Sequence, residues 1–160
     1  MLQPRIALLS LALITVSACS SFNRQSAPVK ITDTGAITGT RWNAVLATPT
    51  SLRGALQING TAWMAPDSGH TVVSVAISNA PPGGIHPWEV HVGRCGSIGQ
   101  TLGTADAYTP LKVASNGTAS AQVNLNQPLS ASVDYSVNVH AASDNMSTII
   151  ACGNFAPPIR

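Results

Sequence analysis

The stretch Gly84–Cys95, GIHPWEVHVGRC, holds most of the chemically reactive side chains of this 160-residue chain. It contains His86 and His91, two of the four histidines, and the only glutamate, Glu89. Residues 87–92 alternate between apolar and polar side chains. That period of two predicts a β-strand with Glu89 and His91 together on the face away from the tryptophan and valines.

Alternating segments also occur on both sides of this stretch. Residues 71–78, 118–125 and 134–140 each carry an apolar face with period two, and residues 148–155 are predicted as the last strand. In the third segment His140 points away from the apolar face. About seven short strands, with no helical periodicity, predict an all-β fold: an antiparallel β-sandwich or flattened barrel.

Two Asn-Gly pairs punctuate the predicted strands. Asn59-Gly60 lies between residues 53–58 and 61–65, which predicts a β-hairpin with its turn at this pair. Asn116-Gly117 predicts a second turn, before the strand at 118–125. His70 follows Gly69 in a third turn-like segment and is interpreted as a loop residue.

The composition excludes some classes of partner. Charged residues are 9% of the chain, aromatic residues are 4%, and the formal net charge is +2. Basic residues are scattered rather than clustered, which argues against nucleic acid as a partner. The many small, β-branched and polar residues favour short strands and turns over long helices.

The first residues resemble an export signal. Arg5 precedes the apolar segment 6–16, which is too short for a membrane span of about 20 residues. Val16-Ser17-Ala18-Cys19 resembles a bacterial lipobox, so residues 1–18 are predicted to be a lipoprotein signal peptide and Cys19 the lipidated residue. The alternative is an ordinary signal peptide. Lipid on Cys19 would attach the protein to a membrane of the cell envelope, and Ser20 favours the outer membrane facing the periplasm.

Residues 19–50 are rich in small and polar side chains and are predicted to form a flexible tether. Trp42, Val45 and Leu46 are interpreted as a first edge strand at its far end. The folded domain is expected to span residues 51–160. With the leader removed and Cys19 lipidated, Cys95 and Cys152 are the remaining thiols, and an oxidising compartment predicts a disulfide between them.

A metal site is predicted from the polar faces of two strands. If the strands of residues 87–92 and 134–140 are neighbours, Glu89, His91 and His140 converge on the outer surface of the sandwich. His86 lies just upstream as a further ligand. Two imidazoles with one carboxylate suit copper, zinc or iron(II).

The ordered set of motifs resembles the copper/zinc superoxide dismutases. That family carries a His-x-His strand followed by Gly-x-Cys, then a Val-x-Val-His strand, then an Ala-Cys-Gly strand whose cysteine pairs with the first. The matching pieces are Glu89-Val90-His91, Gly93-Arg94-Cys95, Val137-Asn138-Val139-His140 and Ala151-Cys152-Gly153. The resemblance implies a Greek-key β-sandwich of immunoglobulin-like type over about residues 60–155.

Three departures from the family bear on function. Glu89 stands where the family has the first histidine, and Ile149 stands where it has an arginine that guides superoxide. The residues between Cys95 and the turn at 116–117 contain no histidine, which argues against a zinc site. The resemblance therefore implies a lipid-anchored, dismutase-like domain that is non-catalytic or binds copper weakly at Glu89, His91 and His140, so no catalytic residue is assigned. An active copper-only dismutase and a structural or adhesive envelope module are the alternatives.

Overall fold

The structure is a computed structural model of the chain, and it describes residues 41–96 and 99–158. The predicted signal peptide, the lipidation site Cys19 and the tether as far as residue 40 lie outside the described residues. Among the helical segments of the described part, none has the length and apolar character needed to cross a membrane.

The described residues form an all-β fold, as the sequence predicted. Seven of the strands make one antiparallel sheet in the order β5-β8-β9-β1-β2-β3-β7, which curls into a half-barrel, and β4 pairs with β6 in a second, two-stranded sheet. The strands are β1 Trp42–Ala47, β2 Asn59–Asp67, β3 His70–Ser78, β4 Ile85–His86, β5 Trp88–Val92, β6 Leu111–Lys112, β7 Ala119–Leu125, β8 Tyr135–Ala142 and β9 Asn145–Asn154. Short 3-10 turns at Thr50–Leu52 and Ala105–Ala107 lie between them.

The predicted edge strand near Trp42 is β1, but it lies inside the sheet. It pairs with β2 from Trp42↔Met64 onwards and with β9 at Ala47↔Cys152. Its alternate side chains Trp42, Ala44 and Leu46 are buried. The prediction that the tether extends to residue 50 is therefore wrong for residues 42–47, because these residues contribute to the core.

The hairpin between β2 and β3 turns at Ser68-Gly69 instead of Asn59-Gly60. Ser68 and Gly69 both have positive φ, 47° and 91°, as a two-residue type I′ turn requires. Asn59 and Gly60 are the first residues of β2. A Cβ on residue 60 would lie 2.4 Å from the Ala76 carbonyl oxygen, so this glycine permits close strand approach and the predicted turn is wrong.

The other predicted turn, Asn116-Gly117, is confirmed. Gly117 has a φ of 77°, and the Asn116 Oδ1 accepts a hydrogen bond of 3.2 Å from the Thr118 backbone N–H. An asparagine side chain that bonds the backbone two residues later is a turn signal with a clear mechanism. Strand β7 begins directly after it.

The strands that carry the site, β5 and β8, are antiparallel neighbours at one end of the seven-stranded sheet. Their apolar faces form part of the core, and the pairs Trp88↔Val139 and Val90↔Val137 lie there with no exposure. The alternation predicted for both strands is confirmed on this face. Their other face carries the polar side chains.

Candidate metal centre

Strand register brings the predicted ligands onto one face. Glu89 lies opposite Asn138 and His91 lies opposite Ser136, and paired residues of an antiparallel sheet project to the same side. The His140 backbone N–H donates to the Pro87 carbonyl oxygen at 2.8 Å, which places His140 beside the start of β5. The strands are therefore neighbours, which was the condition for the predicted convergence.

This polar face is buried, which corrects the prediction that it forms the outer surface. Glu89, His91 and His140 are 8%, 4% and 4% exposed. The segment 99–102 pairs along the free edge of β5, because the Val92 N–H donates to the Gln100 carbonyl and the Leu102 N–H donates to the Val90 carbonyl. Alternation gives the side on which a residue lies, but it carries no information about the segments that cover that side.

Glu89, His91 and His140 form a compact group of metal-binding atoms. One such atom from each residue lies within 4.8 Å of the other two. The Glu89 Oε2 is 3.2 Å from the His91 Nε2, and the His91 and His140 rings have centroids 6.3 Å apart. Because metal bonds to imidazole and carboxylate are about 2 Å, atoms at these separations can share one ion after small side-chain movements.

Backbone carbonyls set the orientation of both imidazoles in this group. The His91 Nδ1 donates to the Gly99 carbonyl oxygen at 3.0 Å, and the His140 Nδ1 donates to the Met146 carbonyl oxygen at 2.5 Å. A carbonyl only accepts, so the proton of each neutral ring lies on Nδ1 and the lone pair on Nε2. Both Nε2 atoms are buried without a hydrogen-bond partner. Histidines that bind a metal typically donate their other ring N–H to a carbonyl or carboxylate in this way.

The electrostatics favour the ligand form of His140. Burial lowers the pKa of His140, and this effect outweighs the opposing effects of the Met146 carbonyl and the Glu89 carboxylate. The neutral ring, which is the form that binds a metal, is therefore favoured. The Thr101 hydroxyl donates a hydrogen bond of 3.3 Å to the Glu89 Oε2 and helps to hold that carboxylate in place.

His86, the fourth predicted ligand, is not part of the group that converges. Its Nδ1 donates to the Ala141 carbonyl oxygen at 2.9 Å, and its Nε2 lies against Gly84, where a Cβ would be only 2.5 Å away. The ring fills the space that the glycine leaves open. The His86 Nε2 is also buried without a hydrogen-bond partner, but it is not among the atoms that converge, so the role of His86 as a ligand stays a prediction.

Two further polar residues of the same face escaped the sequence analysis. Ser136 and Asn138 are 0% and 1% exposed, and the Ser136 Oγ and Asn138 Oδ1 are both buried without a hydrogen-bond partner. The alternation of residues 134–140 places them on the same face as His140, so the sequence did indicate their proximity to the site. Serine and asparagine are common on exposed strand faces, which is why the pattern alone did not mark them.

The predicted disulfide is confirmed, and it lies against the same part of the sheet. Cys95 and Cys152 are bonded, with Cα atoms 5.8 Å apart. Cys152 lies opposite Asn138 in the β8–β9 register, and the Cys95 N–H donates to the Asn154 Oδ1 at 2.7 Å. The bond thus attaches the segment that follows β5 to β9, next to the polar face.

Comparisons with known proteins do not assign the chain to a family. No family model matches its sequence, and no curated protein matches it. The donor set itself remains the basis for a functional assignment. Two imidazole nitrogens and a carboxylate oxygen that converge in a buried site are suited to a transition metal ion, and the described residues fit such an ion in donor type, tautomer and separation.

Proposed function

We propose that the domain binds a first-row transition metal ion through Glu89, His91 and His140, with copper(II) bound most tightly. The observation that carries this proposal is the pair of buried Nε2 atoms, each without a hydrogen-bond partner on a ring whose Nδ1 is anchored to a carbonyl. Anchored imidazoles with free Nε2 lone pairs beside a carboxylate are arranged to donate to a cation.

The preference for copper(II) follows from the donor atoms. For sites of nitrogen and oxygen ligands, affinity generally rises along the first-row divalent ions to copper and falls again at zinc. The copper/zinc superoxide dismutase resemblance of the motifs supports the same metal. A bound copper ion would supply redox and Lewis-acid chemistry, while Glu89, His91 and His140 would hold it and their carbonyl partners would orient the rings.

A purely structural role for these residues explains the site less well. Buried polar atoms in folded proteins nearly always have a hydrogen-bond partner, and an unpartnered one costs about 1–3 kcal/mol of stability. Apolar residues at these positions would avoid that cost. A metal ion between the acceptor atoms removes it, which gives a reason for the polar side chains to be there.

The burial of the group favours retention of the ion over turnover of a substrate. All three residues are less than one-tenth exposed, and the Gly99 and Met146 carbonyls and the Thr101 hydroxyl contact them. We therefore propose a copper-binding role, and the predicted lipoprotein signal would place it in the cell envelope. Dismutase activity is not part of the proposal.

The test is copper binding by the purified protein. We expect one equivalent of copper by metal analysis, and an EPR spectrum with coupling to two nitrogens. His91→Ala and His140→Ala should each reduce the affinity by about 100-fold or more, because loss of a residue that only hydrogen-bonds to a ligand already costs about 10–100-fold. His70→Ala is the matched control, since His70 lies at the start of β3 and outside the group.

The outcomes separate the candidate functions. Absence of copper uptake, with no thermal shift on its addition, would refute the proposal and favour a structural module. Equal losses in His70→Ala and His91→Ala would refute the assignment of the ligands. Superoxide consumption well above that of free copper would contradict the proposed role and favour an enzyme.

A further inference from the structure

We propose that Asn138 supplies a fourth metal-binding atom, its carboxamide Oδ1, to the group of Glu89, His91 and His140. This inference rests on the metal-binding function proposed above and extends it to a residue that the three-ligand group leaves out. The resulting donor set has two nitrogens and two oxygens, which a four-coordinate ion accepts.

The first support is the state of the Asn138 side chain. The residue is 1% exposed, and its Oδ1 is buried with no hydrogen-bond partner. Interiors rarely leave a carbonyl-type oxygen in that state, and in this orientation of the amide the described residues offer it no donor. Carboxamide oxygens are ordinary metal ligands, and a cation is one partner that satisfies them.

The second support is the position of Asn138 within the group. It lies directly opposite Glu89, and side chains of directly opposed residues have Cβ atoms about 4.5–5.5 Å apart. It also lies two residues before His140 on the same face, a distance of about 7 Å along a strand. Asn138 is thus adjacent to one ligand across the sheet and to another along it.

The third support is the balance of donors and acceptors. The Glu89 carboxylate, the Nε2 atoms of His91 and His140, and the Asn138 Oδ1 are all acceptors on one buried face. The Thr101 hydroxyl donates to Glu89, but the two Nε2 atoms and the Asn138 oxygen have no donor. Acceptors placed side by side repel one another, and a shared cation converts that repulsion into attraction.

Ser136 provides a natural comparison within the same strand. Its Oγ is also buried and without a partner, and it lies opposite His91. However, its side chain is short and it is four residues from His140, about 13 Å along the strand, so its Oγ cannot reach an ion that His140 binds. Ser136→Ala and Asn138→Ala therefore remove equivalent buried polar groups, and only the second removes a proposed ligand.

The experiment measures copper affinity by competition with a chromophoric chelator, on the full chain and its variants. Asn138→Ala should weaken binding by about 10-fold or more, and Ser136→Ala by less than about 3-fold. Asn138→Asp keeps an oxygen at the same place and adds a charge, so it should bind copper at least as tightly as the wild type. If Asn138→Ala folds poorly, Asn138→Asp still tests whether residue 138 supplies a ligand.

A spectroscopic measurement distinguishes a ligand from a residue that merely supports Glu89. Asn138→His should add coupling to a third nitrogen in the copper EPR spectrum. A histidine at position 138 can bind the ion only if this position adjoins it. The inference is overturned if Asn138→Ala and Ser136→Ala have equal affinities, or if Asn138→His retains a two-nitrogen spectrum. Both results leave copper binding by the wild type intact, whereas failure of the wild type to bind copper refutes the proposed function itself.

Discussion

Both faces of the β5–β8 pair are buried, yet they differ in whether their side-chain atoms have partners within the protein. On one face Trp88, Val90 and Val137 contact other apolar side chains, and their interactions are completed inside the domain. On the other face the imidazole Nε2 atoms and the Asn138 Oδ1 lack partners. Burial alone therefore does not identify a structural core. Under the proposed function, a metal ion completes the unsatisfied acceptors of the polar face.

The largest expected effect is on the apolar face, with Trp88→Ala. The Trp88 ring is fully buried, lies edge-on to Tyr108 with centroids 5.0 Å apart, and donates its indole N–H to the Thr109 carbonyl at 2.9 Å. We expect a loss of about 3–5 kcal/mol in the free energy of unfolding, measured in urea. Val45→Ala is the control, since Val45 is 78% exposed and its loss should have little effect. Similar effects of the two substitutions would contradict the assigned core.

The disulfide connects the polar face to the rest of the sheet, and its removal should have the next largest effect. Cys95 and Cys152 are 57 positions apart, and a loop of that length is expected to stabilise the fold by about 4 kcal/mol through chain entropy. We expect the double substitution Cys95→Ser and Cys152→Ser to lower the unfolding free energy by about that amount. Urea unfolding of the variant, compared with the wild type before and after reduction, provides the measurement. A variant as stable as the oxidised wild type would rule out a stabilising role for the bond.

Neighbouring residues of β8 provide a direct contrast between the faces. Ser136→Ala removes a buried hydroxyl without a hydrogen-bond partner, so the metal-free protein should become more stable by about 1 kcal/mol. Val137→Ala removes two methyl groups from the opposite face and should destabilise it by about 2 kcal/mol. Thermal or urea unfolding of both variants measures the effects. A loss of stability in Ser136→Ala would mean that the hydroxyl has a partner within the protein.

The smallest expected effect concerns pH. Burial lowers the pKa of His140, so the folded protein binds a proton there less readily than the unfolded chain does. This contribution to stability is complete above the unfolded pKa of about 6.5 and is lost as the pH falls through the folded pKa. Copper should accordingly be retained to a lower pH than by an exposed pair of histidines, as measured by equilibrium dialysis across pH. Loss of copper beginning above pH 6.5 would contradict this expectation.

The sequence predicted correctly which side chains of these strands face the core and which lie on the opposite face. Alternation in residues 71–78, 87–92 and 134–140 gave the apolar faces of β3, β5 and β8, and it placed Glu89, His91 and His140 on the opposite side. The disulfide was predictable because only Cys95 and Cys152 remain besides the predicted lipidated Cys19. These predictions succeeded because a period of two is a local property of an extended chain.

The remaining features depend on contacts between distant segments. Gly60 was assigned to a turn, but its lack of a side chain serves the close approach of the Ala76 carbonyl from β3. His86 was assigned to the metal site, but its ring lies against Gly84. The Gly99 and Met146 carbonyls contact the imidazoles from distant segments, and backbone groups have no sequence signature. None of these contacts can be derived from spacing along the chain.

The disulfide has a consequence for the order of folding and metal uptake. His91 and His140 are about 50 positions apart in the chain, so an unfolded, reduced chain brings them together rarely. Once Cys95 and Cys152 are joined, the shortest covalent path between the two imidazoles runs through the bond and spans fewer than 20 residues. That shortening reduces the entropy cost of closing the site by about 1 kcal/mol. Oxidation of the cysteines therefore raises the effective concentration of one imidazole around the other before the sheet has formed.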